Sequence, residues 1–225
     1  MKTIILYTLL IFGTITTAFA QKDAAAKAIL NPLSLKYRSY SAIKSDFSFT
    51  LDNAQDNMKA TQNGTLTVEP KTNKYKISLY SPGAAKTDVE QEIISDGKSQ
   101  WSYNKSDKEV QLSNIDKSSA GFNPAQIFTI YEHGYKYLYT GEVKEGGKVY
   151  QVIDLTPEDD KITFFKVRLM IDKVKKIIYS ALVFDKNGSK YNYVLKDLMP
   201  NPPITNDTFT FDSKAHPGVE VVDLR

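Results

Sequence analysis

From Asp46 onward, apolar and polar residues alternate with a period of two. Phe47, Phe49 and Leu51 alternate with Asp46, Ser48 and Thr50; Leu66 and Val68 with Thr65, Thr67 and Glu69; Tyr75, Ile77 and Leu79 with Lys74, Lys76 and Ser78. A strand points successive side chains to opposite faces, so this is the pattern of antiparallel strands with one dry and one wet face. Further strands are predicted at 88–95, 99–104, 109–113, 135–143, 148–155, 162–171, 176–184, 189–198 and 208–211. Asp96-Gly97, Gly146-Gly147 and Asn187-Gly188 fall where hairpin turns are needed, and Asp96-Gly97 suits a type I′ turn. About a dozen strands in succession predict a single large, curved antiparallel sheet.

Two stretches break the alternation. Residues 23–45 begin with Ala24-Ala25-Ala26-Lys27-Ala28-Ile29-Leu30 and continue with Leu33, Leu35, Tyr37, Tyr40 and Ile43, with Pro32 between them. Ala, Leu and Lys favour helix and an interior Pro opposes it, so one broken amphipathic helix or two short ones are expected. Near mid-chain, Asn123 before Pro124 is a helix-start signal, and the apolar residues that follow predict a short helix. Two such elements are too few to cover both faces of a long sheet and are expected to cover one. Residues 52–62 and 200–206 read as exposed loops, and no linker divides the chain.

The N-terminus has a different character. Lys2, the apolar run Ile4 to Phe12 and Ala18-Phe19-Ala20 follow the order of a cleavable secretory signal, with cleavage expected before Gln21. The apolar run is too short to span about 30 Å of hydrocarbon, which takes roughly 20 apolar residues. Residues 1–20 are therefore assigned to a signal peptide and 21–225 to one domain, expected to be exported and soluble. With 41% hydrophobic and 24% charged residues, the chain has the composition of an ordinary globular protein. It contains no cysteine, which removes disulfides, thiolate metal sites and a lipid-bearing cysteine together. The formal charge of +3 is spread rather than clustered and gives no footprint for nucleic acid.

Catalytic chemistry is hard to assemble from these residues. The only histidines are His133 and His216, far apart and without metal-ligand spacing; surface or capping roles are expected for both. Glu158, Asp159 and Asp160 read as a solvated hairpin turn, and no serine lies in a G-x-S-x-G setting. No catalytic residue, metal ligand or cofactor is predicted, and the chain is expected not to be an enzyme. What stands out is an aromatic surplus of 14 Tyr and 11 Phe beside one Trp. Singly these are core residues, but a curved sheet closed by two short helical elements can leave a cavity for an apolar ligand.

Several segments resemble the LolA family of periplasmic outer-membrane lipoprotein carriers. They are Asp46-Phe47-Ser48-Phe49-Thr50, Gly64-Thr65-Leu66-Thr67-Val68, Ile94-Ser95-Asp96-Gly97-Lys98 with Trp101 and Tyr103, and Phe209-Thr210-Phe211 before Pro217-Gly218-Val219 and Asp223. The resemblance implies an unclosed β-barrel whose apolar cavity lies under a lid of short helices and loops. It also implies a periplasmic carrier that takes lipoprotein acyl chains from an inner-membrane ABC transporter and delivers them to an outer-membrane acceptor, working as a monomer. With strand phase taken from alternation, the expected cavity-lining residues are Phe47, Phe49, Leu51, Leu66, Val68, Tyr75, Ile77 and Leu79, and the expected lid residues are Ile127, Phe128 and Tyr131. The chain departs from the family pattern where a basic residue implicated in lid closure precedes a proline. Glu69 stands before Pro70 here, which leaves Lys71, Lys74 or Lys76 as substitutes. Two alternatives are a lipid-binding or envelope-sensing module on the same half-barrel, and a secreted enzyme on a β scaffold.

Overall fold

The alternating segments hydrogen-bond into one sheet. A computed structural model describes residues 23–72, 74–83, 86, 88–115 and 122–225; the expected signal peptide and its cleavage site lie outside them. The strands are β1 (Ile43–Asn53), β2 (Met58–Val68), β3 (Lys74–Tyr80), β4 (Val89–Asp96), β5 (Ser99–Asn104), β6 (Glu109–Asn114), β7 (Tyr135–Glu145), β8 (Lys148–Pro157), β9 (Phe164–Asp172), β10 (Ile178–Asp185), β11 (Lys190–Pro200) and β12 (Glu220–Asp223). They form a 12-stranded sheet in the order β12-β6-β5-β4-β3-β2-β1-β11-β10-β9-β8-β7. Two meanders, β1 to β6 and β7 to β11, are joined where β1 pairs with β11. The sheet is curved and unclosed, with β12 at one edge and β7 at the other.

Four expectations about strands and hairpins are corrected. Residues 52–62 are not a long loop: β1 runs to Asn53 and β2 starts at Met58, with Thr50 and Thr61 joined through their hydroxyls across the pair at 3.0 Å. Polar side chains are tolerated there because that end of the hairpin is largely solvated. Residues 208–211 are not a strand: Asn206–Phe209 is a 3-10 turn that buries Phe209. The sheet is not wholly antiparallel, because the terminal Glu220–Asp223 pairs in parallel with β6. Finally, the hairpin at Asp96 is not type I′. The positive φ is at Gly97 alone, +94°, as in a type II′ turn, while the Asp96 carboxylate accepts from the amides of Lys98 and Ser99.

Helix α1 (Ala24–Ser39) is continuous, contrary to the expected break. Its buried face is Ala26, Leu30, Leu33 and Tyr37, whereas Pro32 lies on the exposed side. The missing N–H therefore costs a bond at the solvent surface while the packed stripe runs through. Asp23 caps the helix by accepting from Ala25 N at 2.8 Å. Its second carboxylate oxygen accepts from Tyr139 N at 2.9 Å, tying the helix to the otherwise open edge of β7. The expected mid-chain helix is replaced by two 3-10 turns, Pro124–Gln126 and Ile130–Glu132, with Asn123 capping the first as predicted. Helix and turns pack on the concave face of the sheet, and the main core fills the space between.

One close approach explains the Gly-Thr-Leu-Thr-Val strand. Gly64 pairs with Phe47 and Leu79, and a Cβ there would lie 2.5 Å from the Ser78 carbonyl oxygen and 2.7 Å from Phe47 Cζ. Gly64→Ala is expected to destabilise the protein by about 1–3 kcal/mol through overpacking, read as a lower denaturation midpoint with an unchanged slope.

Candidate functional site

Between the concave face and the turns lies an open cavity of about 840 Å³. Val68, Tyr75, Ile77 and Ile93 supply the sheet wall, and Phe122, Ala125 and Ile130 the opposite wall. They meet because β2, β3 and β4 pair in a register that puts Val68 opposite Tyr75 and Ile77 opposite Ile93, on one face. Polar groups gather at the rim, among them Glu69, Lys71, Gln100, Gln126, Glu132 and His133. The one hydroxyl among these seven wall residues, that of Tyr75, is satisfied by Gln100 Oε1 at 2.6 Å, and burial pushes its pKa up. The cavity lining is thus mixed: these seven apolar and aromatic side chains face it beside about as much polar surface, which suits a molecule with a greasy body and a wet head.

The predicted residues divide by position. Of the eight strand positions, Val68, Tyr75 and Ile77 face the cavity. Phe47 and Leu66 are buried in the core behind it, Phe49 and Leu79 are partly buried against that core, and Leu51 is half-buried toward the far end of β1. Ile127, Phe128 and Tyr131 point into the core and fasten the turns down, leaving Phe122, Ala125 and Ile130 to face the cavity. Ile93 was not legible from alternation, because the adjacent Ile94 is also apolar and points to the other face of β4; Phe122 carried no periodic signal. Phe122 extends an aromatic wall, with ring centroids 5.2 Å from Tyr193 and 5.9 Å from Phe164, and Tyr193 continues to Phe49 at 5.0 Å. Burial pushes the Tyr193 phenol up, so the wall stays uncharged at neutral pH.

The turns are clamped to the helix by an ion pair. Arg38 Nε donates to Glu132 Oε1 at 2.8 Å, Arg38 Nη2 also donates to Glu132, and Ser34 Oγ donates at 2.5 Å. Burial pushes the Glu132 carboxyl up, but the bonds from Arg38 and Ser34 and the Arg38 charge outweigh it, holding the pKa below its usual value. A lowered folded-state pKa means that the clamp is complete above the ordinary carboxylate range and is lost as pH falls through the lowered value. We expect NMR titration to place the Glu132 carboxyl below the usual glutamate value, and Arg38→Gln to raise it, because the bonds and charge that offset burial are then lost. An unchanged titration would remove the clamp from the account. Of the lysines left as substitutes for the family's basic residue, Lys71 lies at the rim and Lys74 is half-exposed. Lys76 points to the other face, paired with Glu92 at 2.8 Å.

The convex face of β1 to β5 is covered by residues 201–216, which leave a smaller pocket of about 350 Å³. His133 is exposed at the cavity rim, but His216 is not a free surface residue. It lies against Phe211 and Tyr103, with centroids 4.9 and 4.4 Å away and Nε2 3.9 Å from the buried Glu92 carboxylate. Glu158, Asp159 and Asp160 form the exposed β8–β9 turn as expected. Among the described residues, no group of three or more His, Asp or Glu is placed to hold a metal.

One large curved, unclosed sheet with helix and turns over its concave face defines a half-barrel fold. Residues 38–212 match the model of the outer membrane lipoprotein carrier protein LolA, and the chain belongs to that family. A conserved protein from Thermus thermophilus shares the fold, with a TM-score of 0.54 at 12% identity over 88% of this chain and 99% of that one. A LolA superfamily protein from Nitrosomonas europaea gives 0.48 at 14% identity, covering 84% and 98%. LprF from Mycobacterium bovis gives 0.48 at 11%, covering 82% and 96%. Sequence comparison with curated proteins finds no match.

Proposed function

We propose that this protein is a periplasmic carrier, exported by a cleaved signal peptide, that holds lipoprotein acyl chains in the concave cavity and moves them from the inner to the outer membrane. The observation that carries the reading is the concave cavity with its apolar wall of Val68, Ile77, Ile93, Phe122 and Ile130, open at one side and roofed by elements that pack on the sheet without belonging to it. Acyl burial is worth about 0.8 kcal/mol per CH₂, so a soluble carrier must shield the chains and still release them. A roof that moves meets both demands. Two features support movement: the exposed Arg38 side of the clamp, and the buried Tyr131 hydroxyl, which has no hydrogen-bond partner among the described residues.

In this reading the chain makes and breaks no covalent bond. Apolar wall residues provide affinity, and the polar rim keeps the headgroup and attached polypeptide in water. The donor is an inner-membrane ABC transporter and the receiver an outer-membrane acceptor. The test is transfer: incubated with inner-membrane vesicles and ATP, the purified protein should release a triacylated lipoprotein and pass it to outer-membrane vesicles. Co-purification of a different lipid, with no transfer of lipoprotein, would move the protein to the lipid-binding or envelope-sensing class.

A further inference from the structure

The turn joining β9 to β10 is built to present one apolar residue in a basic setting. Val174 is 86% exposed and sits between Lys173 and Lys175, with Lys176 next. The turn is held rigidly: the nearly buried Asp172 carboxylate accepts from Val174 N at 2.9 Å and Lys175 N at 2.8 Å, and Lys176 N donates to Asp172 O at 2.9 Å. Helix α1 adds another cation, because Lys36 Nζ donates to the carbonyls of Lys175 and Lys176 at 2.8 and 3.3 Å. The preceding Leu35 is 72% exposed. Lys173 is paired with Glu142 at 2.7 Å, but among the described residues Lys36, Lys175 and Lys176 have no carboxylate partner.

Placement gives the cluster meaning. The register carries β2–β3, β4–β5, β7–β8 and β9–β10 to the same rim of the sheet. That rim includes Glu69 to Thr72, which line the cavity. The opposite rim holds the acidic Glu158-Asp159-Asp160 turn. The basic, apolar-tipped β9–β10 turn thus lies on the same rim of the sheet as the cavity-lining β2–β3 loop, and the acidic turn on the opposite rim.

We propose that the β9–β10 turn, with Lys36 and Leu35 of α1, docks the protein on an anionic lipid bilayer, Val174 entering the headgroup region and the lysines meeting lipid phosphates. Basic residues near an anionic surface attract it within a Debye length, and a protruding apolar side chain adds a short-range anchor. Fixing Val174 in a tight turn means that little conformational freedom is lost on contact. The acidic opposite rim disfavours the inverted orientation. Docking in this way turns the rim that carries the β2–β3 loop toward the membrane.

Flotation of the full chain with vesicles tests this. Binding to phosphatidylglycerol–phosphatidylcholine vesicles should exceed binding to phosphatidylcholine alone by roughly tenfold or more and fall sharply in about 0.5 M salt. Val174→Glu and the pair Lys175→Glu with Lys176→Glu should each lose most of this binding, while Asp159→Lys should not weaken it. All these positions are exposed and none lines the cavity, so uptake of a fluorescent acyl probe in solution should be unchanged and reports separately on the carrier reading. Equal binding to neutral and anionic vesicles, no binding to either, or full binding by the Val174→Glu variant would overturn the proposal.

Discussion

Ile93→Glu is expected to abolish uptake of a fluorescent acyl probe while leaving a folded protein. Ile93 is half-buried, opposite Ile77, and faces the cavity. In the empty cavity a carboxylate there can keep its water, so the fold tolerates it. An acyl chain would strip that water without supplying a hydrogen bond, and an uncompensated charge is far costlier to bury than a lost methyl contact. A loss of affinity of roughly 100-fold or more is expected, equivalent to about 2.7 kcal/mol. Circular dichroism and the denaturation midpoint should stay near those of the parent. Unchanged binding by a folded variant would take the cavity out of ligand recognition.

Tyr37→Ala is expected to cost about 3–5 kcal/mol of stability, since it removes a fully buried aromatic ring. The residue joins three parts of the structure. It lies on α1, its hydroxyl accepts from Ile178 N at the start of β10 at 2.8 Å, and its ring meets Phe128 of the roof edge-on, with centroids 4.9 Å apart. Tyr37→Phe separates these roles: it keeps the ring but leaves a buried amide without an acceptor, at about 1–3 kcal/mol. Denaturant unfolding should rank parent, Phe variant and Ala variant in that order. Equal stability of the two variants would place the whole effect in the hydrogen bond.

The sheet was legible because period-two alternation reports one buried face directly. The β5 limits came out as predicted, and the strand ends elsewhere moved by a few residues or less, except at β1–β2, where polar residues in solvated strand ends look like loop. Strand β12 was not legible: it has only four residues, and its parallel pairing with β6 depends on a distant segment. The continuity of α1 was hidden because a proline is read locally, whereas its cost depends on which side of the helix faces water. Alternation also separates the concave from the convex face without separating wall from core. Phe47 and Ile77 share a face, yet Phe47 packs over Gly64 and Ile77 meets the cavity, a difference created by where the roof sits. The Arg38–Glu132 clamp joins residues 94 apart, and no local pattern links them.

The concave cavity is expected to take up acyl chains. The most direct measurement is titration of the purified protein with a fluorescent acyl probe, followed by competition with a triacylated lipoprotein and with the same polypeptide lacking its lipid. Saturable uptake at one site, displacement by the lipidated form alone, and loss of uptake in Ile93→Glu are expected. Absence of saturable uptake by the folded protein, or equal displacement by the unlipidated polypeptide, would contradict it.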